Sequence, residues 1–186
     1  MWHLRFHWQT ERQQLIHELS QQAFYFQPQQ RVVKAIGETV HLWSSLDSLV
    51  LKLLSMHLVN VLPSSKCFAY LKGHSGAKQT VNSIHQISQQ HEFVFRTDVK
   101  SYYESIDHCI VLEKLAKYIK DKNLLNILTQ HLKRIVEVGG NFIDIQAGCF
   151  LSPVIASFYL VELDKVMEQK SVYYRRYMDD IIVLAK

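Results

Sequence analysis

The chain has 186 residues, 48% hydrophobic and 20% charged, with 21 Lys and Arg against 17 Asp and Glu and a formal charge of +4. This balance suits one domain, or one domain with a lobe, that buries a core, and it excludes a chain disordered by composition. The mild basic excess permits a nucleic-acid partner without demanding one. No apolar run approaches membrane-spanning length, and the N-terminus Met1-Trp2-His3-Leu4-Arg5-Phe6-His7-Trp8 lacks a signal-peptide core, so a cytoplasmic protein without a membrane partner is expected. Cys67, Cys109 and Cys149 are scattered without C-x-x-C spacing and read as reduced, structural thiols. His3 and His7 have helical i, i+4 spacing but no evident third ligand, which favours a surface or packing role over a metal site.

In chain order, Glu11 to Phe24 reads as a helix with Leu15, Ile16, Leu19 and Ala23 on one face, broken before Pro28. Residues 31–43 read as two short strands around Gly37-Glu38. Arg31 and Lys34 on the first of these are solvated edge-strand cations or phosphate contacts, and the residues alone favour neither. From Ser44 or Ser45 as N-cap, a helix runs to Leu62 with Leu46, Leu49, Val50, Leu53, Leu54 and Leu58 as its apolar stripe, and Pro63 ends it. Leu71 to Lys78 is a basic, glycine-containing loop opening a helix whose inward residues are Ala77, Val81, Ile84 and Ile87. Amides at such a helix start hold phosphate in some proteins, and in others the loop is a linker.

Phe93 to Val99 alternates with period two, which makes it a strand with Asp98 near its C-terminal end. Asp107 is placed to cap the next helix, which carries Ile110, Val111, Leu115 and Ile119, and a second helix carries Leu125, Leu128, Leu132 and Ile135. After Gly139-Gly140 a short strand is expected at Phe142-Ile143-Asp144-Ile145. Ser152-Pro153 opens a long helix, with Ser as N-cap and Pro at the first helical position. The chain then closes on Tyr173 to Leu184, two short strands joined by a turn at Met178-Asp179-Asp180. Adjacent carboxylates beside an apolar strand repel each other, and a divalent cation relieves that. With Asp98 brought alongside, three carboxylates suit two metal ions that clamp an in-line phosphoryl transfer. Asp179-Asp180 by itself would read as a solvated turn.

Three motifs in order make the chain resemble a known family. Tyr177-Met178-Asp179-Asp180 resembles the Y-x-D-D box of reverse transcriptases. Phe95 to His108 is similar to their first catalytic motif as bacterial group II intron and retron-like enzymes write it, and Gly148-Cys149-Phe150-Leu151-Ser152-Pro153 is similar to the G-x-x-x-S-P motif between the two. The resemblance implies an α+β fold: a right-hand polymerase palm with an antiparallel sheet flanked by helices, and a helical fingers lobe. It implies a division into 1–92 as fingers-like and 93–186 as palm, with no thumb after the hairpin.

By the same resemblance, Asp98, Asp179 and Asp180 are the catalytic carboxylates, and together with the Val99 carbonyl they hold Mg²⁺, for which Mn²⁺ is a substitute. Tyr103 is an aromatic steric gate favouring dNTPs, or an ordinary core ring at a helix start. Lys100 faces phosphate or solvent, Gly148 admits the backbone to the nascent base pair, and Ser152 contacts nucleotide or simply caps its helix. Arg31 and Lys34 fall among the nucleotide contacts, and Lys72, Gly73, Gly76, Lys78, Tyr177 and Met178 among the nucleic-acid contacts. Three departures from the family pattern are Leu46 where an arginine precedes the aspartate, Ala147 where glutamine is frequent, and Phe150 where proline is common. The implied activity is RNA-directed DNA synthesis from a DNA or RNA primer on an RNA template with dNTPs. The alternatives are RNA synthesis on RNA, which Tyr103 argues against, and a truncated, non-catalytic RNA-binding or maturase-like remnant.

Overall fold

A computed structural model of the chain describes residues 2–33, 39–70, 76–134 and 149–186. In chain order the elements are α1 (Trp2–Phe6), α2 (Trp8–Ser20), β1 (Gln30–Val33), β2 (Thr39–Leu42), α3 (Ser45–Val61), α4 (Gly76–Ser88) and β3 (Phe93–Thr97). A short 3₁₀ turn at Tyr103–Ser105 follows, then α5 (His108–Tyr118), α6 (Lys122–Leu132), α7 (Ser152–Tyr159), α8 (Val161–Glu168), β4 (Tyr173–Tyr177) and β5 (Asp180–Ala185). No described helix is long and apolar enough to cross a membrane. The result is mixed helix and antiparallel sheet. The expected strand at 142–145, and with it Gly148, lies outside the described residues, as do Lys34, Lys72 and Gly73.

Two compact units form, one from Met1–Met56 with Asp107–Asp144 and the other from His57–Ile106 with Ile145–Lys186. In the first, β1 and β2 pair antiparallel from Gln30 opposite Leu42 to Val33 opposite Thr39. The Asp107 carboxylate accepts from the amides of Cys109 at 2.7 Å and Ile110 at 3.0 Å, which fixes the start of α5. Asp121 does the same for α6 through Asn123 and Leu124. These helices pack on each other, with Val111, Leu115, Leu128 and Leu132 buried. Beside them Arg134 lies over the Trp43 ring at 4.2 Å and the Phe26 ring at 5.3 Å, and donates to Asp47 at 3.0 Å. Asp47 is buried in the first turn of α3 and also accepts the Gln27 amide at 3.2 Å.

In the second unit the sheet order is β3-β5-β4, antiparallel throughout. A loop at Phe68 adds a single parallel bridge to Arg176 on the β4 edge. Tyr174 and Arg176 point inward from β4, and α8 packs on that strand. The period-two reading of β3 gives the strand but not a buried face, because Phe93, Val94 and Phe95 are all at least 60% exposed.

Several local expectations shift by part of a turn. Leu15 is buried on α2, whereas Ile16 is exposed, because α2 ends at Ser20 and its inward stripe is narrower than the apolar residues suggest. On α3 Leu53 faces outward while Leu51 is buried. On α4 Val81 faces outward and Thr80 is buried instead, its hydroxyl returned to the Gly76 carbonyl at 2.7 Å. The helix expected to be capped by Ser152 takes Leu151 as its N-cap, with Ser152 its first residue, fully buried. It also breaks at Leu160 into α7 and α8.

Candidate active site

The candidate site lies wholly within the second unit, at one end of its sheet. Tyr177 pairs with Asp180, so Met178 and Asp179 alone form the turn, and Asp180 is the first residue of β5. Thr97 pairs with Ile181, so the chain leaves β3 at Asp98 just where β5 enters from the turn. The Val99 amide donates to the Asp179 carbonyl at 3.2 Å and ties the two segments together. Asp98 and Asp179, 81 positions apart in sequence, are therefore brought to one sheet end by backbone pairing alone. Asp180 turns to the Arg96 guanidinium at 3.1 Å in an ion pair that is more than half exposed, and such pairs add little stability.

Backbone strain collects here. Among the described residues three non-glycine positions have positive φ: Gln22 in the first unit, and Ser101 (49°) and Met178 (57°) in the second. The last two flank the carboxylates. Each costs on the order of 1–3 kcal/mol and persists only where the surroundings hold it.

For Met178 those surroundings are visible. Arg176 is fully buried and binds the Asp164 carboxylate through Nε at 2.8 Å and Nη2 at 2.6 Å. Its Nη1 donates to the Met178 carbonyl at 2.9 Å, its Nη2 also reaches the Ser157 carbonyl at 3.0 Å, and its guanidinium lies 4.4 Å from the Phe68 ring centre. The Tyr174 hydroxyl donates to the same Asp164 carboxylate at 2.7 Å. Burial and this carboxylate both raise the Tyr174 pKa well above the usual phenol range.

Aromatic side chains crowd the same corner. The Tyr103 hydroxyl contacts the Met178 sulfur at 3.8 Å. Partial burial pushes its pKa up to about 12, with Tyr70 and Asp179 adding to the rise, so the phenol is neutral at any physiological pH. Tyr70 meets Tyr177 edge to face with ring centres 5.2 Å apart. Next to Tyr103, Tyr102 is buried and donates its hydroxyl to the Ala156 carbonyl, tying the 3₁₀ turn to α7.

Of the residues singled out in the sequence, Asp98, Val99, Lys100, Tyr103, Tyr177, Met178, Asp179 and Asp180 stand on these connected segments. Lys100 is exposed. Ser152 is buried at the start of α7. Gly76 opens α4 at φ 68° and donates its amide to the Ala69 carbonyl at 3.1 Å, and Lys78 is exposed two residues on. Arg31 sits on β1 in the first unit, opposite His41. Sequence reasoning missed Arg176, Asp164, Tyr174, Arg96 and Tyr70. The signal for Arg176 was present: in Tyr173-Tyr174-Arg175-Arg176-Tyr177 alternation must send one arginine inward, and a buried arginine needs a carboxylate.

Among the described residues no group of three His, Cys, Asp or Glu lies close enough to hold a metal. The donors at the sheet end are two carboxylates and backbone carbonyls. This hard-oxygen set fits Mg²⁺, which takes one or two protein carboxylates and completes its shell with water and substrate phosphates.

The family model described as reverse transcriptase (RNA-dependent DNA polymerase) matches residues 16–186. Among solved structures, the chain is similar to a partial Cas6-RT-Cas1–Cas2 complex and to a Cas6-RT-Cas1–Cas2 complex, each with a TM-score of 0.58 and 16% identity over 98% of this chain. At that identity the likeness concerns the fold. The chain spans 33% of the first of those chains and 21% of the second. No curated protein matches this sequence.

Proposed function

The chain belongs to the reverse transcriptase family, RNA-directed nucleotidyltransferases, and from that premise we propose that its three-stranded sheet is the palm of such an enzyme. In this reading residues 93–186 carry the chemistry, residues 1–92 are the fingers-like part, and dNTPs are joined to a primer 3′-hydroxyl on an RNA template. The observation that carries it is the Val99 amide on the Asp179 carbonyl, which joins the first motif to the Y-x-D-D turn.

Asp98 and Asp179 would hold Mg²⁺ with the Val99 carbonyl, and Asp180 is a neighbour drawn towards Arg96. The chemistry supplied by Mg²⁺ held there would be easier deprotonation of the primer hydroxyl and charge neutralisation at the triphosphate and its leaving group. The chain's own residues do the rest. Tyr103, neutral and lodged against Met178, walls the sugar side of the nucleotide pocket and excludes a 2′-hydroxyl. Tyr177, braced by Tyr70, presents its ring to the primer end. Lys100 is placed to meet phosphate beside Asp98, and Lys78 with the Gly76 amide region to meet template backbone. The phrasing of the first motif favours a group II intron-like relative.

A second reading, an RNA-binding remnant without synthesis, is favoured by one observation. The Asp180 carboxylate is engaged by the Arg96 guanidinium at 3.1 Å.

Mg²⁺-dependent dNTP incorporation on an oligo(dT)-primed RNA template, beside Asp179→Ala, separates the two. The polymerase reading expects incorporation that the variant loses. RNA binding by both proteins, with incorporation by neither, would establish the remnant.

A further inference from the structure

The proposed metal ligand Asp179 hangs on a turn with an unfavourable backbone. Met178 lies at φ 57°, a region that glycine enters freely and a residue with a Cβ avoids. One buried side chain reaches this turn from inside the unit. The Arg176 guanidinium is fixed from behind by Asp164 on α8, with contacts of 2.8 and 2.6 Å, and by the Ser157 carbonyl on α7 at 3.0 Å. Its main chain is fixed as well: its amide donates to the Cys67 carbonyl and its carbonyl accepts from Ala69, both at 2.9 Å. Held on these sides, its Nη1 projects to the Met178 carbonyl at 2.9 Å.

That carbonyl belongs to the planar peptide joining Met178 to Asp179. Anchoring it sets the direction in which the Asp179 Cα and carboxylate leave the turn. The following peptide, from Asp179 to Asp180, presents its carbonyl to the Val99 amide at 3.2 Å, so a displaced Met178 peptide moves that bond through the shared Asp179 Cα.

We propose that Arg176, braced by Asp164 and Ser157, is a positioning residue that holds the left-handed Met178 peptide and thereby aims Asp179 at Asp98. The proposal rests on the reading of Asp98 and Asp179 as metal ligands. Lysine at 176 cannot replace arginine, because one ammonium cannot fork onto a carboxylate and also reach a separate carbonyl on the far side. Glycine at 178 removes the need for the anchor, because it takes φ near +57° unaided.

The test uses the full chain as wild type, Arg176→Lys, Met178→Gly and the double variant, with Asp179→Ala as the metal control. Two quantities are read: hydrogen exchange of the Val99 amide by NMR, and Mn²⁺ binding by water-proton relaxation. Arg176→Lys is expected to speed Val99 exchange about tenfold or more and to weaken Mn²⁺ binding by a similar factor. Adding Met178→Gly is expected to restore most of both, which a general loss of core packing would not allow. Wild-type behaviour of Arg176→Lys, or a defect that glycine does not repair, overturns the proposal. Should Arg176→Lys fail to fold, Asp164→Asn loosens the same guanidinium while keeping side-chain shape and is judged by the same rescue. Mn²⁺ binding unchanged in Asp179→Ala would sink the metal-site reading alone, and Val99 exchange would still decide the role of Arg176.

Discussion

Replacing Asp47 with alanine strips a buried cation of its counter-charge. Arg134 is 9% exposed and Asp47 1% exposed at their side chains, with 3.0 Å between them. Deleting one partner of such a pair costs about 3–5 kcal/mol, because the remaining charge stays desolvated. Arg134 keeps the faces of Trp43 and Phe26 in both proteins, so these contacts cancel in the difference. The Gln27 amide loses its carboxylate acceptor, which costs a further 1 kcal/mol or so. The net loss is about 4–6 kcal/mol, a large share of the roughly 5–15 kcal/mol of a typical domain. For a chain of this size it lowers Tm by about 8–24 °C. Thermal and urea unfolding followed by circular dichroism measure it. A double-mutant cycle with Arg134→Leu should show strong coupling, the double variant losing well under the sum of the single losses. A loss below about 1 kcal/mol for Asp47→Ala, or simple additivity in the cycle, refutes the reasoning.

Other outcomes follow from the same structure. His131 is buried, and its pKa is lowered to about 3 by desolvation, with the Arg134 and His108 charges adding to the fall. The unfolded chain binds this proton from pH 6.5 downward while the folded chain refuses it to about pH 3. Stability should therefore fall with pH across that window by about 1.4 kcal/mol per unit, and His131→Gln should flatten the slope. Tyr103→Ala should admit rNTPs, raising rNTP use relative to dNTP use by about tenfold or more in competition assays. Arg96→Ala removes a solvent-exposed ion pair and should change stability by less than about 1 kcal/mol in urea unfolding. Cys109 is exposed while Cys67 and Cys149 are buried, so a maleimide on the folded chain should label the first alone, as peptide mapping will show.

Much of the architecture was legible because it is local. Asp107 was readable as a cap, since a short carboxylate before an apolar helix has amides within reach two and three residues on. The strands at 93–97, 173–177 and 180–185 were readable from β-branched and aromatic runs around Asp-rich breaks. The facing of helices was less so. Thr80 displaced Val81 from the inner face of α4, and Leu51 rather than Leu53 was buried on α3, because 3.6-residue periodicity leaves the inward direction free by part of a turn until a neighbour fixes it.

The sequence by itself determined the family, through three motifs whose residues and order are fixed by the chemistry they serve. It also determined which carboxylates stand at strand ends. Only the tertiary structure decided how the segments carrying them are held: the Asp98 and Asp179 segments by the Val99 amide on the Asp179 main-chain carbonyl, the Asp180 carboxylate by Arg96, and the turn itself by Arg176 anchored on Asp164. Arg176 and Met178 are two positions apart, but the other partners lie 12 to 84 positions apart. Spacing along the chain carries no information about such contacts, since they exist only once backbone pairing and burial have brought the segments together.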